Sequence, residues 1–243
     1  MIGLRSLAFN VALYLYTAVV SILGTPVFLA SRRSAARFGA AWAAGALVLL
    51  RWTVGLSHEV RGRENLPAGP AIIAMKHQSA WDTFAVTVVF TDPAIVLKKE
   101  LLLIPFYGWY LWKAGMIAVD RAAGSAALKR LLTAARRAAE DGRPIVIFPE
   151  GTRTPVGARV AYQPGVIALY RDLGLPLVPV AVNSGLFWRR RSFAKHPGRI
   201  IVDILPPIPP GGDRRAVMAE LQERIETATA DLVAAARHAP AKG

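Results

Sequence analysis

An α/β domain with a mostly parallel central sheet flanked by helices, preceded by an N-terminal hydrophobic helical membrane anchor, is the architecture that this sequence predicts. Beyond Gly55, short apolar runs alternate with helical stretches, the pattern of a parallel sheet with crossover helices. The N-terminal part is distinctly more apolar than the rest, and 53% of the 243 residues are hydrophobic. A chain of this length buries one substantial core. We therefore expect an anchoring segment over residues 1–55 and one folded domain over residues 56–243.

The uncharged stretch from Leu7 to Ala30 is the candidate anchor. As a helix it reaches about 36 Å, at about 1.5 Å per residue, which exceeds the roughly 30 Å of a hydrocarbon core. We expect Pro26 to kink this helix. A cleaved signal peptide is the competing interpretation, because Arg5 precedes the apolar run. No clear small-residue cleavage site follows, however, and arginines come instead, so we expect the segment to be retained.

A second apolar run, Phe38 to Leu50, follows the basic cluster within Arg32 to Arg37 and is closed by Arg51. It is too short to span a bilayer comfortably, which indicates an interfacial or re-entrant segment. Arginines, including Arg5, flank both runs, and the positive-inside rule places both ends of the segment in the cytoplasm. The sequence therefore predicts a helical hairpin in one leaflet of the inner (cytoplasmic) membrane, with the following domain facing the cytoplasm.

The domain itself is predicted from apolar runs and helix signals. The candidate strands are Ala71 to Met75, Ile95 to Leu97, Met116 to Val119, Ile145 to Phe148, Leu177 to Val182 and Ile200 to Leu205. Ala126 to Glu140 is rich in Ala, Leu and Arg and runs into Asp141-Gly142, a helix stop. A closing amphipathic helix is predicted over Arg214 to Ala236 by apolar residues near helical spacing: Val217, Leu221, Ile225, Leu232 and Val233.

The charge balance points to an anionic partner. The formal net charge is +14, while only 19% of the residues are charged. The sequence contains no zinc-finger spacing, basic zipper or aromatic-rich RNA-binding signature, so we expect no nucleic acid. Joined to the apolar N-terminus, the charge favours a lipid surface. The absence of cysteine excludes disulfides and thiolate nucleophiles.

A histidine and a carboxylate follow the first apolar strand. His77 and Asp82 lie five positions apart, and in a continuous helix their side chains would point about 140° apart. If a strand ends at His77 and Asp82 lies in the first turn of the next helix, the carboxylate accepts the imidazole Nδ1–H and leaves Nε2 as a base. The alternative is a histidine at a strand end and an aspartate that favours a helix N-terminus. Ser79, only two positions from His77, is expected to have a local turn role.

A second polar loop follows the buried strand near Ile147. It reads Phe148-Pro149-Glu150-Gly151-Thr152-Arg153. Gly151 allows close approach of a ligand to the backbone, and Arg153 carries a planar fork of donors suited to a phosphate. The alternative is an ordinary turn with a surface glutamate and arginine.

These two loops carry a resemblance to a known family. His77 to Asp82 matches the HxxxxD box and Phe148 to Arg153 the FPEGTR box of the glycerolipid acyltransferases that include the 1-acylglycerol-3-phosphate acyltransferases. Gly115 to Arg121 resembles the family's second block, and Val178 to Val180 resembles its fourth. The blocks occur in the family's order between about Met75 and Val182. The resemblance implies a glycerol-3-phosphate acyltransferase-like fold, with residues 56–243 as the acyltransferase catalytic domain.

The resemblance also implies a reaction. A fatty acyl group passes from acyl-CoA or acyl-acyl carrier protein to the sn-2 hydroxyl of 1-acyl-sn-glycerol-3-phosphate (lysophosphatidic acid), which gives phosphatidic acid. His77 is the general base in this reaction, and Asp82 orients it. No cofactor and no metal are expected, and direct attack on the thioester fits the absence of cysteine.

The resemblance further implies an acceptor site. Arg121 and Arg153 are expected to bind the acceptor's phosphate, and Lys98 to add a cation, although the Lys98-Lys99 pair is equally consistent with a solvated face. The other expected substrate-binding residues are Glu150, Gly151 and Thr152. The apolar stretch Leu101 to Leu111 is expected either to receive an acyl chain or contact the membrane interface, or else to be ordinary core.

Three other functions stay open. An acyltransferase for another lyso-lipid, such as a lyso-ornithine lipid, would show the same motifs. A non-catalytic lipid-binding or membrane-scaffolding protein needs no base beside a carboxylate, which argues against it. A metal-dependent hydrolase built on His77, Asp82 and Glu150 lacks clustered ligands at the usual metal spacing.

Overall fold

The computed structural model describes residues 1–120 and 123–238. The helices in these residues are α1 (Ile2–Leu23), α2 (Arg32–Val54), α3 (Trp81–Val89), α4 (Tyr107–Lys113), α5 (Gly124–Glu140), α6 (Gly165–Leu173) and α7 (Arg214–His238). The strands are β1 (Leu56–Arg61), β2 (Ile72–Met75), β3 (Ala94–Lys98), β4 (Ile117–Val119), β5 (Ile145–Ile147), β6 (Leu177–Val182) and β7 (Gly198–Ile204).

Seven strands of the described chain form one sheet, in the order β1-β7-β6-β2-β5-β3-β4. All neighbouring strands are parallel except β6 and β7. The expected α/β architecture with a mostly parallel sheet is thereby confirmed. Strands β2 to β6 run in one direction, so all five end at the same edge of the sheet, which we call the carboxyl edge. In sheets of this kind, ligands bind at this edge.

The central strands are buried on both faces, which explains their unbroken apolar sequences. Along β2, Ile73 and Met75 join one core with helices α2 and α3, whereas Ile72 and Ala74 join a second core with α5, α6 and α7. Strands β5 and β6 divide their side chains between the two cores in the same way. The strand exits are therefore held rigidly from both sides.

Strand β1 was not predicted, because its sequence Leu-Ser-His-Glu-Val-Arg is mostly polar. It lies at the end of the sheet and pairs only with β7. A strand that is exposed along much of its length needs no apolar run. The short helices α4 and α6 were also not assigned from the sequence.

Helices α1 and α2 form an antiparallel hairpin. Trp42 Nε1 donates to Thr17 Oγ1 at 3.1 Å, and the Phe38 ring packs against Gly24. The expectation that Pro26 kinks a longer helix was wrong. Helix α1 already ends at Leu23, and Pro26 lies at the start of the separate 3₁₀ turn Thr25–Leu29, where a missing backbone N–H costs nothing. Proline therefore helps to form the turn of the hairpin.

The two helices of the hairpin differ in their surroundings. Helix α2 is longer than the apolar run that predicted it, and one of its faces is buried on the domain through Ala35, Ala43, Ala46, Leu47, Leu50 and Val54. Gly55, with φ of 79°, ends it in the left-handed conformation. Helix α1 is the one helix among the described residues that is long and apolar enough to cross a membrane, and only 11% of its most apolar window is buried. This apolar, uncovered N-terminal helix indicates membrane association.

Asp92 ties the start of α2 to the turn before β3. Its carboxylate accepts two hydrogen bonds from the Arg32 guanidinium, both at 2.8 Å, and Arg143 Nε lies 3.5 Å from its Oδ1. Burial acts to raise the pKa of Asp92, but the hydrogen bonds and charges of the two arginines outweigh it. The pKa of Asp92 therefore lies below its ordinary value of 3.8.

We expect Asp92→Asn to lower the free energy of unfolding by about 1–3 kcal/mol near neutral pH, because two guanidinium groups lose a charged acceptor. Asparagine tolerates the left-handed backbone at this residue (φ 48°) as aspartate does. A carboxyl whose pKa is lowered by folding stabilises the protein at pH values above the pKa of the unfolded chain. This contribution disappears as the pH falls through the pKa of the folded protein. The difference between the two proteins in urea unfolding should therefore shrink below pH 3.8. A difference that does not change with pH would contradict this role.

Candidate active site

His77 and Asp82 meet at the carboxyl edge. Strand β2 ends at Met75, the chain bends, and Asp82 lies in the first turn of α3. His77 Nδ1 and Asp82 Oδ2 are 2.9 Å apart, with Nδ1 as the donor because an ionised carboxylate only accepts. The bend brings together two side chains that a continuous helix would point in different directions. The contact at Nδ1 leaves Nε2 as the free nitrogen of the imidazole.

The Asp82 carboxylate also organises the loop between strand and helix. Its Oδ2 accepts the backbone N–H groups of Gln78 (2.7 Å) and Ser79 (2.8 Å), and its side chain is fully buried. Ser79 Oγ accepts the backbone N–H of Trp81 at 3.1 Å, the local turn role expected for it. One oxygen atom thus fixes both the imidazole and the backbone that carries it.

The imidazole of His77 is contacted on the face of its ring as well as at Nδ1. Phe148, directly after β5, stacks on the His77 ring with centroids 4.0 Å apart and an interplanar angle of 21°. The His77 side chain keeps 12% of its surface exposed, whereas Asp82 keeps none. This arrangement leaves an oriented imidazole with part of its surface open to a substrate.

Glu150 points into the protein, which its place in a polar loop did not reveal. Its carboxylate Oε1 accepts the backbone N–H of His77 at 3.2 Å and lies 3.2 Å from Lys76 Nζ. Thr154, on the same loop, donates its backbone N–H to the His77 carbonyl at 2.8 Å. Burial raises the pKa of Glu150, and the charge and hydrogen bond of Lys76 oppose this without cancelling it. Glu150 therefore helps to hold the backbone of His77 in place from the interior of the protein.

A buried network extends from this carboxylate to the last helix. Lys76 Nζ lies 2.6 Å from Glu226 Oε1 of α7, and Tyr162 donates its hydroxyl to the same oxygen at 3.0 Å. Burial, followed by the charges of Glu150 and Glu226, raises the pKa of Tyr162, so this phenol stays a donor. Sequence reasoning missed Lys76, Tyr162 and Glu226. The available signals were a lysine between a buried strand and His77, and a glutamate beside the apolar stripe of α7.

The other expected substrate-binding residues that the structure describes lie at the same edge. Gly151 has φ of 70°, a conformation that glycine adopts freely and that turns the loop after β5. Thr152 is exposed, and Arg153 is half-buried with no side-chain partner among the described residues. Lys98 ends β3 and is exposed, whereas its neighbour Lys99 pairs with Asp120. Arg121, expected to bind phosphate, lies outside the described residues.

The aromatic stretch after β3 is largely uncovered. Leu103, Ile104, Phe106, Trp109 and Trp112 are all exposed. A cavity of about 410 Å³ is lined by Phe28, Leu102, Gly108, Trp109 and Trp112, between this stretch and the hairpin turn. Of the two alternatives left by the sequence, ordinary core does not fit the exposed residues. Among residues 1–120 and 123–238, no group of three or more acidic or histidine side chains is placed to hold a metal ion.

Comparisons with known proteins identify the family. A family model described as Acyltransferase matches residues 57–183, which include His77, Asp82 and the loop from Phe148 to Arg153. A 1-acyl-sn-glycerol-3-phosphate acyltransferase from Pseudomonas aeruginosa is 40% identical over 193 residues, which cover 79% of this chain and 75% of that protein. The chain belongs to this acyltransferase family. As a member, it is an O-acyltransferase, as the resemblance implied.

Two further likenesses extend this result. A protein of the same name from Limnanthes alba is 32% identical over 68% of this chain, and the matched region spans 58% of that relative. The crystal structure of the 1-acyl-sn-glycerophosphate acyltransferase from Thermotoga maritima covers 96% of this chain and 98% of its own, with a TM-score of 0.79 at 21% identity. At that identity the likeness establishes the fold, which includes the N-terminal helices. The acyltransferase family and the α/β fold expected from the motifs are both confirmed.

Proposed function

We propose that this acyltransferase moves a fatty acyl group from acyl-CoA or acyl-acyl carrier protein to the sn-2 hydroxyl of 1-acyl-sn-glycerol-3-phosphate, giving phosphatidic acid. The observation that carries the proposal is the His77–Asp82 pair at the carboxyl edge, in a chain 40% identical to a protein named for this reaction. The pair has the geometry that proton removal from a hydroxyl requires.

In the proposed mechanism His77 Nε2 takes the proton of the acceptor hydroxyl. The oxygen attacks the thioester carbonyl carbon and forms the new C–O bond, and the tetrahedral intermediate then loses the sulfur by cleavage of the C–S bond. The imidazolium returns the proton to the leaving thiolate, so an ester and a free thiol are released. Asp82 keeps Nδ1 protonated and stabilises the imidazolium while it exists.

The acceptor's phosphate is assigned to the cations of the carboxyl edge. Arg153 lies three residues beyond Glu150, on a loop whose other end carries the ring stacked on His77, and its guanidinium has no partner within the described chain. Lys98, the last residue of β3, and Arg121, two positions beyond β4 in the sequence, are assigned the same task. Glu150 is given a positioning role, because its buried carboxylate holds Lys76 and the His77 backbone rather than facing solvent.

We assign membrane binding to the N-terminal hairpin of α1 and α2 and to the exposed apolar side chains between Leu103 and Trp112. We place residues 1–55 as the anchor and 56–243 as the catalytic domain, on the cytoplasmic side of the inner membrane. The uncovered face of α1 and the exposed side chains near Trp109 support this assignment. A lysophospholipid then reaches His77 from the leaflet while the thioester donor arrives from the cytoplasm.

The experiment is acyl transfer by the purified full chain from labelled acyl-CoA and acyl-acyl carrier protein to lysophosphatidic acid, beside monoacylglycerol, which lacks the phosphate. Arg153→Ala is expected to raise KM for lysophosphatidic acid by at least about tenfold, the loss of one charge-assisted contact. It should change transfer to monoacylglycerol little. Arg215→Ala, an exposed arginine at the start of α7, is the matched control.

The outcomes separate the candidate acceptors. Equal transfer with and without the phosphate, or an Arg153→Ala effect no larger than that of the control, would contradict the assigned phosphate site. Transfer only to a zwitterionic or amino-acid lyso-lipid, such as a lyso-ornithine lipid, would keep the chemistry and change the acceptor. No transfer to any lyso-lipid by a folded protein would favour the non-catalytic lipid-binding function.

A further inference from the structure

Three consecutive arginines occupy the loop between β6 and β7. Arg189, Arg190 and Arg191, here called the arginine cluster, are all exposed. No ion pair joins them to any carboxylate of the described residues. Some other surface arginines of this chain are paired, as Arg136 is with Asp172 and Arg199 is with Glu59. Three adjacent unpaired guanidinium groups repel one another, so this loop has an unfilled capacity for anions.

The cluster lies at the carboxyl edge, with the candidate active site. Strand β6 is parallel to β2 and ends at Val182, and the loop follows after the 3₁₀ turn Ser184–Leu186. The backbone N–H of Gly185 in that turn donates to Gln78 Oε1 at 3.1 Å, in the loop that carries His77. The cluster and the catalytic pair therefore leave the sheet on the same side.

The same loop is bound to the N-terminal helix. Lys195 donates through Nζ to Asn10 Oδ1 of α1 at 2.9 Å, and its backbone N–H donates to Ser6 Oγ at 2.9 Å. Its ammonium group lies 5.4 Å from the centre of the Phe9 ring and 4.7 Å from that of Trp188. The loop thus packs on the one buried face of α1, whose other faces are apolar and uncovered.

We propose that the arginine cluster is a headgroup site for anionic phospholipids, which sets the orientation of the enzyme on the leaflet. This inference rests on the proposed function, because it supposes that α1 lies in the membrane. An apolar helix lowers the free energy of insertion without regard to headgroup charge, whereas guanidinium groups at its flank select phosphate. Phe193, on the same loop and 54% exposed, adds an aromatic side chain of the kind found at membrane interfaces.

An anionic membrane accounts for the cluster better than an acidic protein does. The loop that carries the cluster is bound to α1, the helix that enters the lipid, through the buried side chain of Lys195. A docking site for a soluble donor protein would gain nothing from that connection. The acidic carrier protein is nevertheless a distinct outcome of the experiment below.

The test is partition of the full chain between buffer and vesicles of phosphatidylcholine with and without phosphatidylglycerol. The readout is the ratio of the two partition coefficients, in which the apolar contribution of α1 cancels. In Arg189→Gln/Arg190→Gln we expect this ratio to fall by about 25-fold, at about fivefold for each arginine, and we expect added salt to abolish the difference from wild type. Arg191 is left in place because its φ of 58° is unusual for a side-chain residue.

The matched control is Arg214→Gln/Arg215→Gln, which removes the same charge from the opposite edge. After β7 the chain runs back along β6 to pair Ile208 with Leu177, the first residue of that strand, so α7 begins at the amino edge. The control is expected to keep the wild-type ratio within about twofold. An unchanged ratio in the cluster variant, or an equal fall in both variants, would overturn the proposal.

Two further readouts separate this inference from the proposed reaction. Partition into vesicles does not require activity. If the ratio of partition coefficients falls in the cluster variant but the wild type shows no acyl transfer, the lipid site is supported and the proposed reaction is refuted. Transfer to lysophosphatidic acid in neutral detergent micelles should be unchanged in the cluster variant. A cluster variant with a normal partition ratio and a raised KM for acyl-acyl carrier protein would identify the cluster as a donor-protein site and refute the lipid assignment.

Discussion

Replacing His77 with alanine is expected to lower the rate of acyl transfer by about 10²–10⁴-fold, the range that a general base contributes. The imidazole is partly exposed and is held by the buried Asp82 carboxylate, with Nδ1 2.9 Å from Oδ2. Without it, the acceptor hydroxyl must lose its proton to water. The measurement is the initial rate of transfer to lysophosphatidic acid at saturating donor.

Asp82→Asn tests the orienting role within the same pair. The oxygen Oδ2 accepts from the imidazole and from two backbone N–H groups, and an asparagine oxygen in its place keeps these contacts but has no charge to stabilise the imidazolium. We expect a large loss of kcat with a smaller change in KM.

The control for His77→Ala is His238→Ala, which removes an exposed histidine at the end of α7. Activity of His77→Ala within tenfold of that control, in a folded protein, would rule out His77 as the base.

Removing Lys76 is expected to give the largest loss of stability. Lys76 Nζ lies 3.2 Å from Glu150 and 2.6 Å from Glu226, and all three side chains are almost completely buried. Lys76→Met leaves two carboxylates close together without a cation, which costs about 3–5 kcal/mol for a buried pair broken on one side. Urea unfolding of the full chain measures this free energy. Lys99→Met, which breaks the exposed pair with Asp120, should cost less than about 1 kcal/mol.

The pH dependence of this loss has a definite sign. Burial already raises the pKa of Glu150 above its ordinary value of 4.5, and removing the lysine takes away the charge that opposes this shift. A carboxyl whose pKa is raised by folding destabilises the protein as the pH rises above the pKa of the unfolded chain. The reason is that the unfolded chain releases this proton more readily than the folded protein does. Lys76→Met should therefore regain stability as the pH falls toward 4.5.

A double variant separates the charge from the volume of the lysine. Adding Glu226→Gln to Lys76→Met removes one of the two unpaired carboxylates and is expected to restore about half of the lost free energy. Tyr162 can still donate to the new amide oxygen. If the double variant is no more stable than the single one, packing of the Lys76 chain rather than its charge is responsible, and the proposed bracing of His77 through Glu150 loses its support.

Local sequence was sufficient for much of this molecule. The six predicted strands all occur near their expected positions, and the central ones among them, β2, β5 and β6, are buried on both faces and have unbroken apolar sequences. The polar edge strand β1 carries no such signal and was missed. The role of Pro26 was predicted wrongly, since a proline is compatible with either a kink or a helix boundary, and the structure has the boundary, with Phe38 packed on Gly24.

The sequence by itself determined the family motifs, the class of chemistry and six of the seven strands of the described chain, because these depend on residue type and short-range spacing. Only the tertiary structure decided that Glu150 turns inward, that the loop between β6 and β7 is bound to α1 through Lys195, and that Lys76 meets Glu226 across 150 positions. Such contacts depend on how the strands are ordered in the sheet. Periodicity within one segment carries no information about a partner on another, so the site could be named from the sequence but its supports could not.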